Sequence, residues 1–165
     1  MKKVYFILVF IALVLSTFVT ADEKYSIEGD APVGTKFKSK DAVSSLPFDK
    51  PYAKLSQAEK NLFANNYGGL QSTEIPPFPK NGLQDIYLPI IRGHHKHKRE
   101  GKLFAIAMIS EHGKVEKVDV YKAPSKKMAE LATVVLFNTD FDNATCNGSP
   151  CKMEFPLDMY LEVTF

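Results

Sequence analysis

The sequence contains no tryptophan, and several patterns that mark common enzymes and nucleic-acid-binding proteins are missing from it. It therefore has no tryptophan platform on which unpaired bases could stack. No serine stands in a nucleophile elbow, and no glycine-rich loop of the phosphate-cradling kind is found. The only two cysteines lack matched histidines, which makes them a weak zinc site. We therefore predict that the protein is not an enzyme.

The chain also has little excess charge of either sign. Its formal net charge is +2, and residues 1–21 contribute two lysines and no acid, so the rest of the chain is formally neutral. This balance argues against nucleic-acid binding through charge. The exception is the stretch 92–102, which carries five basic residues and one acid.

The longest apolar run is short and lies near the start of the chain. Residues 4–15 are apolar, follow two lysines, and give way to smaller residues that end at Ala21. This pattern predicts a signal peptide over residues 1–21, cleaved after Ala21. We accordingly expect the chain to be exported. An uncleaved membrane anchor is the alternative, although about a dozen apolar residues is short for a span.

Export would place Cys146 and Cys151 where disulfides persist. The four residues between them, Asn147-Gly148-Ser149-Pro150, combine two turn dipeptides, so the two cysteines can approach each other. We predict a disulfide that closes this loop. So short a loop removes little chain entropy, and the bond should shape the loop more than it stabilises the fold.

Residues 153–165 show the clearest periodicity in the chain, because apolar side chains occupy every second position. Such alternation predicts a strand with one buried and one solvent-exposed face. Pro156 favours an edge position, since edge strands tolerate a residue without an N–H group. The exposed face carries Glu154, Pro156, Asp158, Tyr160 and Glu162.

Two further strands and a helix precede this last strand. Strands at 103–109 and 115–121 flank a turn at Gly113, and a helix at 126–138 begins after Ser125. The order predicts a two-layer α+β domain, in which a helix covers a three-stranded, mostly antiparallel sheet. The crossover through the helix would leave the second and last strands parallel, with room for the first strand between them.

Residues 22–74 are predicted to form a lead-in segment with one short helix at 56–67. Ser56 is followed three positions later by Glu59, which is the pattern of a capping box. The candidates for docking on the core from this segment are Phe37, Leu46 and Phe48. Downstream, residues 83–88 are predicted to form at most two helical turns that stop before Pro89.

The basic stretch is bounded by two glycines and is predicted to be a loop that carries His94, His95 and His97. Three imidazoles this close could bind copper, nickel or zinc. An alternative function is therefore a periplasmic metal- or phosphate-binding protein that uses residues 92–102. The neighbouring cations oppose a metal ion and favour a solvated loop, or contact with acidic lipid or lipopolysaccharide phosphates. Under the main interpretation no cofactor is expected.

The order of these segments resembles the C-terminal domain of the TonB energy-transducer family, over roughly residues 75–165. In the family, four motifs follow one another along the chain. They are a Tyr-Pro-like element, an acidic-Gly turn between two strands, a Phe-x-Pro-Ala-like segment and a Gly-x-Pro step. The matching positions here are Phe78-Pro79, Glu111-His112-Gly113, Phe141-Asp142-Asn143-Ala144 and Gly148-Ser149-Pro150. The resemblance does not extend to the membrane anchor and proline-rich spacer of the family.

The resemblance implies secretion across the inner membrane and a periplasmic domain with a role in transport, which contacts outer-membrane receptors. In the family, a short receptor segment adds as a strand beside the last strand of the domain, which is β-augmentation. The expected function is thus a protein- or peptide-binding module whose partner is a receptor peptide or another periplasmic protein. We expect its contact surface at Glu154–Glu162 with Tyr160 as the aromatic anchor, a monomer or weak dimer, only peripheral membrane contact, and no nucleic-acid partner.

Overall fold

The computed structural model describes residues 46–163 and the backbone of residues 25–27. The predicted signal peptide at 1–21, Phe37 and Phe165 lie outside this described part. In chain order the elements are β1 (Tyr25–Ile27), a 3-10 turn (Tyr52–Lys54), α1 (Gln57–Ala64), β2 (Glu74–Ile75), β3 (Phe78–Pro79), α2 (Gln84–His97), β4 (Gly101–Ile109), β5 (Val115–Lys122), α3 (Lys126–Phe137), β6 (Phe141–Asp142), β7 (Ala144–Cys146), β8 (Ser149–Cys151) and β9 (Met153–Leu161). Within the described residues, no helix is both long enough and apolar enough to span a membrane.

The main sheet has the strand order β1-β5-β4-β9. Strand β4 is antiparallel to both β5 and β9, so β5 and β9 run parallel to each other with β4 between them. The predicted α+β class and this arrangement are confirmed. The prediction of three strands is wrong, because β1 adds a fourth strand parallel to β5. With only three residues, β1 is too short to show an alternating pattern in the sequence.

Strand β4 is buried on both faces, as its apolar sequence predicts for an inner strand. Leu103, Ala105 and Ile109 are completely buried in the main core. On the opposite face, Phe104 and Ile106 form a second small cluster with Tyr121.

Helix α3 supplies much of the main core and begins at the predicted residue. The hydroxyl of Ser125 accepts a hydrogen bond from the Met128 N–H at 3.3 Å, so the N-terminal cap is confirmed. Met128, Ala132 and Leu136 are completely buried at helical spacing. The helix therefore covers the sheet, as predicted.

Helix α2 contradicts the predicted loop at 92–101, because it continues through Pro89 and ends at His97. Pro89 is the sixth residue of the helix, where its missing N–H forgoes one helical hydrogen bond. Burial of Ile86, Ile90 and His94, spaced four residues apart, offsets that loss. The three histidines consequently lie on a helix rather than in a loop.

Gly93 explains how α2 and α3 can pack closely. A Cβ atom at this position would overlap the side chain of Leu131 on α3. The glycine therefore permits the two helix surfaces to touch, instead of marking the start of a loop. Lys98 follows the last residue of α2 as its C-cap and adopts a left-handed conformation with φ of 46°.

The segment before α2 packs against the same core as the rest of the domain. Ser56 and Glu59 form the predicted capping box at the start of α1, although this helix ends at Ala64 rather than at residue 67. Leu46, Phe63 and Tyr67 are all buried in the main core. Phe48 is partly exposed, but its ring lies edge-on to Tyr87 with centroids 5.3 Å apart. The proposed domain boundaries at residues 22 and 75 stay predictions.

Three short strands, β6, β7 and β8, lie between α3 and β9, and none of them was predicted from the sequence. Strand β6 pairs with β3, and β7 pairs with both β2 and β8. The predicted disulfide is confirmed, because Cys146 and Cys151 are bonded across the β7–β8 hairpin. These pairings tie the extended segment at 74–79 to the far end of the chain.

We expect the disulfide to make a modest contribution to stability. Replacing both cysteines, as Cys146→Ser with Cys151→Ser, should lower the free energy of unfolding by about 2 kcal/mol, the loop-closure value for a loop this short. Urea denaturation of the oxidised protein and the double variant measures the difference. A loss of more than about 4 kcal/mol would contradict the view that the bond mainly shapes the hairpin.

Candidate partner-binding edge

Strand β9 lies at one end of the strand order, so within the described residues only one of its sides is paired in the main sheet. Its partner on that side is β4, with Leu157 opposite Ala105 and Pro156 opposite Ile106. The alternation predicted from the sequence is confirmed, since Phe155, Leu157 and Leu161 are buried. Of the predicted contact residues, Tyr160 and Glu162 are exposed, while Glu154, Pro156 and Asp158 are half-buried.

The direction of the β9 backbone groups follows from one hydrogen bond. The hydroxyl of Tyr67 donates to the carbonyl oxygen of Glu154 at 3.0 Å, from outside the sheet. In antiparallel strands the N–H and C=O of one residue point to the same side, and the side alternates along the strand. The backbone groups of Pro156 and Tyr160 therefore point to the outer side as well. The missing N–H of Pro156 falls on that side, which leaves the bonding to β4 intact.

The two halves of this outer side differ in what a partner would meet. In the first half, Tyr67 occupies the Glu154 carbonyl and Pro156 offers no donor. In the second half, Tyr160 is 57% exposed and presents an outward N–H. The accessible part of the edge therefore centres on Tyr160. Burial raises the pKa of the Tyr67 hydroxyl well above its usual value, and the nearby Glu154 carboxylate adds to the shift, so Tyr67 keeps its proton and continues to donate.

Polar contacts across β4 and β9 hold the Tyr160 side chain in place. Its hydroxyl donates to Glu100 Oε1 at 3.0 Å, and that hydrogen bond, together with the charge of Glu100, raises the pKa of Tyr160. Next to it, Lys102 Nζ lies 3.2 Å from Asp158 Oδ2. Such cross-strand contacts orient the ring before any partner arrives, which lowers the ordering cost of binding.

The three predicted metal ligands occupy different environments on α2. His94 is buried, and its Nε2 lies 3.0 Å from the backbone oxygen of Arg99. His95 is exposed and His97 is half-buried. In the described part of the chain, no three His, Cys, Asp or Glu side chains converge as a metal site requires. Metal binding by the three histidines stays a prediction.

An open cleft of about 580 Å³ between α2 and α3 is a feature that the sequence reasoning missed. Exposed Leu88 and Val134 lie among polar side chains that include Asp85, Arg92 and Asn138. The sequence indicates the cleft only through these two apolar residues, each on the otherwise polar side of a helix. The cleft was not predicted because the sequence interpretation placed Arg92 in a loop.

Comparison of the chain with models of known protein families and with curated protein sequences finds no match. The class that the fold and the site define is an α+β domain with a partly open sheet edge at β9. The resemblance to a particular family rests on the sequence motifs given above.

Proposed function

We propose that the protein is a periplasmic, TonB C-terminal-like module that binds a peptide segment of an outer-membrane receptor as an added strand beside β9. The observation that carries this proposal is the edge position of β9, with the outward N–H and exposed ring of Tyr160 in its accessible half. The hairpin–helix–strand order of β4, β5, α3 and β9 supports it, because the sequence resemblance implies the same order.

In strand addition, the backbone and the side chains contribute differently to affinity and selectivity. Main-chain hydrogen bonds from the partner to β9 supply affinity that does not depend on the partner's sequence. Selectivity comes from side chains at alternate positions, with Tyr160 as the exposed aromatic anchor. The Tyr67 hydroxyl and Pro156 limit the length of the added strand, so the partner pairs with the second half of β9.

The test is capture of receptors from a detergent-solubilised outer-membrane fraction by the immobilised full chain. We expect the wild-type protein to retain a β-barrel receptor, identified by mass spectrometry. Tyr160→Pro removes the outward N–H and places a ring where the added strand would lie, so it should weaken capture at least about tenfold. Bonds from β9 to β4 do not use the Tyr160 N–H, and the variant should remain folded.

Tyr160→Phe is the matched control, because it keeps the ring and the backbone N–H but loses the hydrogen bond to Glu100. It should capture the receptor within a few-fold of the wild type. Melting temperature and near-ultraviolet circular dichroism check that both variants are folded. Equal capture by a folded Tyr160→Pro variant would overturn the proposal.

A further inference from the structure

Helix α2 ends, and helix α3 begins, at the same end of the domain. The side chain of Leu131 packs on Gly93 near the end of α2, so α3 runs beside α2. A methyl group built on Gly101 would lie 3.5 Å from Cβ of Pro124, just before α3 begins. The residues that follow α2 and those that open α3 are therefore neighbours, although about 30 positions separate the two helix ends in the sequence.

Positive charge accumulates at this end of the domain. Residues 92–102 and 122–130 together carry eight lysines and arginines against two acids. Seven of these cations are exposed. Arg92 lines the cleft between α2 and α3. The other six define what we call the basic end: Lys96, Lys98, Arg99, Lys122, Lys126 and Lys127.

Among the described residues, three acids lie near the basic end. Lys126 lies 3.9 Å from Glu130, and Glu100 accepts a hydrogen bond from the Tyr160 hydroxyl, which does not cancel its charge. The third is Glu162, just past the end of β9. Three acids against six cations leave an excess of positive charge. In the part of the chain that the structure describes, the other five cations form no salt bridge.

The helix dipole shows which of these cations stabilise the fold and which need another explanation. Cations at the C-terminal end of a helix are favourable, so Lys96 and its neighbours on α2 stabilise the fold. Cations in the first turn of a helix are unfavourable, and α3 begins with Lys126 and Lys127 and has no acid in its first turn. Local stability therefore does not explain Lys127, and for Lys126 it offers only the long contact with Glu130. Residues that break a local rule are expected where function requires them.

We propose that the basic end binds the phosphate groups of an anionic membrane surface. Its six cations are exposed and come from α2, β5, α3 and the segment between α2 and β4, so they face a broad surface rather than close around one phosphate. Each lysine or arginine near an anionic bilayer adds to binding, and no apolar insertion is needed. The proposal is independent of strand addition, although Gly101 pairs with Leu161 and the C-terminal end of β9 would lie near the same membrane.

The experiment is co-sedimentation of the full chain with vesicles of phosphatidylglycerol and phosphatidylcholine, compared with vesicles of phosphatidylcholine alone. We expect binding only to the anionic vesicles, and loss of binding as sodium chloride rises from 50 to 500 mM. Lys126→Gln with Lys127→Gln should weaken binding about 25-fold, since each lysine contributes roughly fivefold. The melting temperature of this variant should stay the same or rise, because unfavourable charges are removed from the start of α3.

The matched control is Lys54→Gln with Lys80→Gln, which removes two exposed lysines away from the basic end. This control should bind anionic vesicles with an affinity within about twofold of the wild type. Residues 1–24 are the same in all variants, so any contribution of the apolar N-terminal run to vesicle binding cancels in the comparison. The proposal would be overturned by no binding to anionic vesicles, by equal losses in the two double variants, or by unchanged binding in the Lys126 and Lys127 variant. The proposal would also be overturned if inorganic phosphate, at the same concentration as the lipid phosphate, released the protein from the vesicles. That result would indicate a site for a single phosphate.

Discussion

Gly113→Ala is expected to lower the free energy of unfolding by about 3 kcal/mol, measured by urea denaturation. Gly113 has φ of 74°, a conformation that costs alanine about 1 kcal/mol. The new Cβ would also collide with the carbonyl oxygen of Phe141, a backbone atom that cannot rotate away. Relief of the collision would break the hydrogen bond from the Phe141 N–H to the Gly113 carbonyl, which joins the β4–β5 turn to β6.

Gly148→Ala is the matched control for this prediction. Gly148 has a similar φ of 80°, but a Cβ there would meet nothing within 4 Å. It should cost about 1 kcal/mol, so the difference between the two variants isolates the collision with Phe141. Equal losses in the two variants would show that the turn does not dock on β6 as described.

Phe155→Ala is expected to lower the free energy of unfolding by about 3 to 5 kcal/mol, the usual cost of deleting a buried phenylalanine ring. Phe155 is 1% exposed, and its ring lies 5.0 Å from that of Phe141 and 6.2 Å from that of Phe63. The substitution therefore leaves a cavity where α1, β6 and β9 meet. Urea denaturation should show one cooperative transition, shifted to lower denaturant, because α1 shares this core.

Leu62→Ala on α1 serves as the control, since this leucine is 42% exposed. Its effect should stay within about 0.5 kcal/mol. A Phe155→Ala variant that unfolds in two steps, with α1 unaffected, would contradict a core shared between the lead-in segment and the sheet.

The parts of the fold that could be predicted are those with long local patterns. Alternation over nine residues in β9 and an apolar stripe after the Ser125 cap in α3 needed no information from elsewhere in the chain. Only the first turns of helix α2 were predicted, at residues 83–88; its continuation to His97 was missed because Pro89 and the histidines suggested a break. Its spacing of Ile86, Ile90 and His94 was present, but it has helical meaning only if His94 counts as a buried residue.

The remaining elements depend on contacts between distant positions. Strand β1 has three residues and β3 has two, and their pairing partners lie far along the chain. No local pattern distinguishes such short pieces from irregular chain.

At the candidate edge too, local features were predicted and contacts between distant positions were not. Alternation identified Tyr160 as an exposed residue, and the missing N–H group of Pro156 indicated an edge strand. The role of Tyr67 could not be predicted, because it lies 87 positions from Glu154, whose carbonyl it binds. The basic end likewise required the fold to bring Lys126 and Lys127 beside the end of α2.

Amide hydrogen exchange along β9 tests the central claim most directly. A synthetic peptide that copies a periplasmic segment of a receptor retained in the capture experiment is added, and exchange at single residues is followed by nuclear magnetic resonance. Strand addition predicts that the outward Tyr160 N–H becomes at least about tenfold more protected. The N–H groups of Met159 and Leu161, which face β4, should change little. Binding of the peptide with no change in exchange at Tyr160 would contradict strand addition at β9.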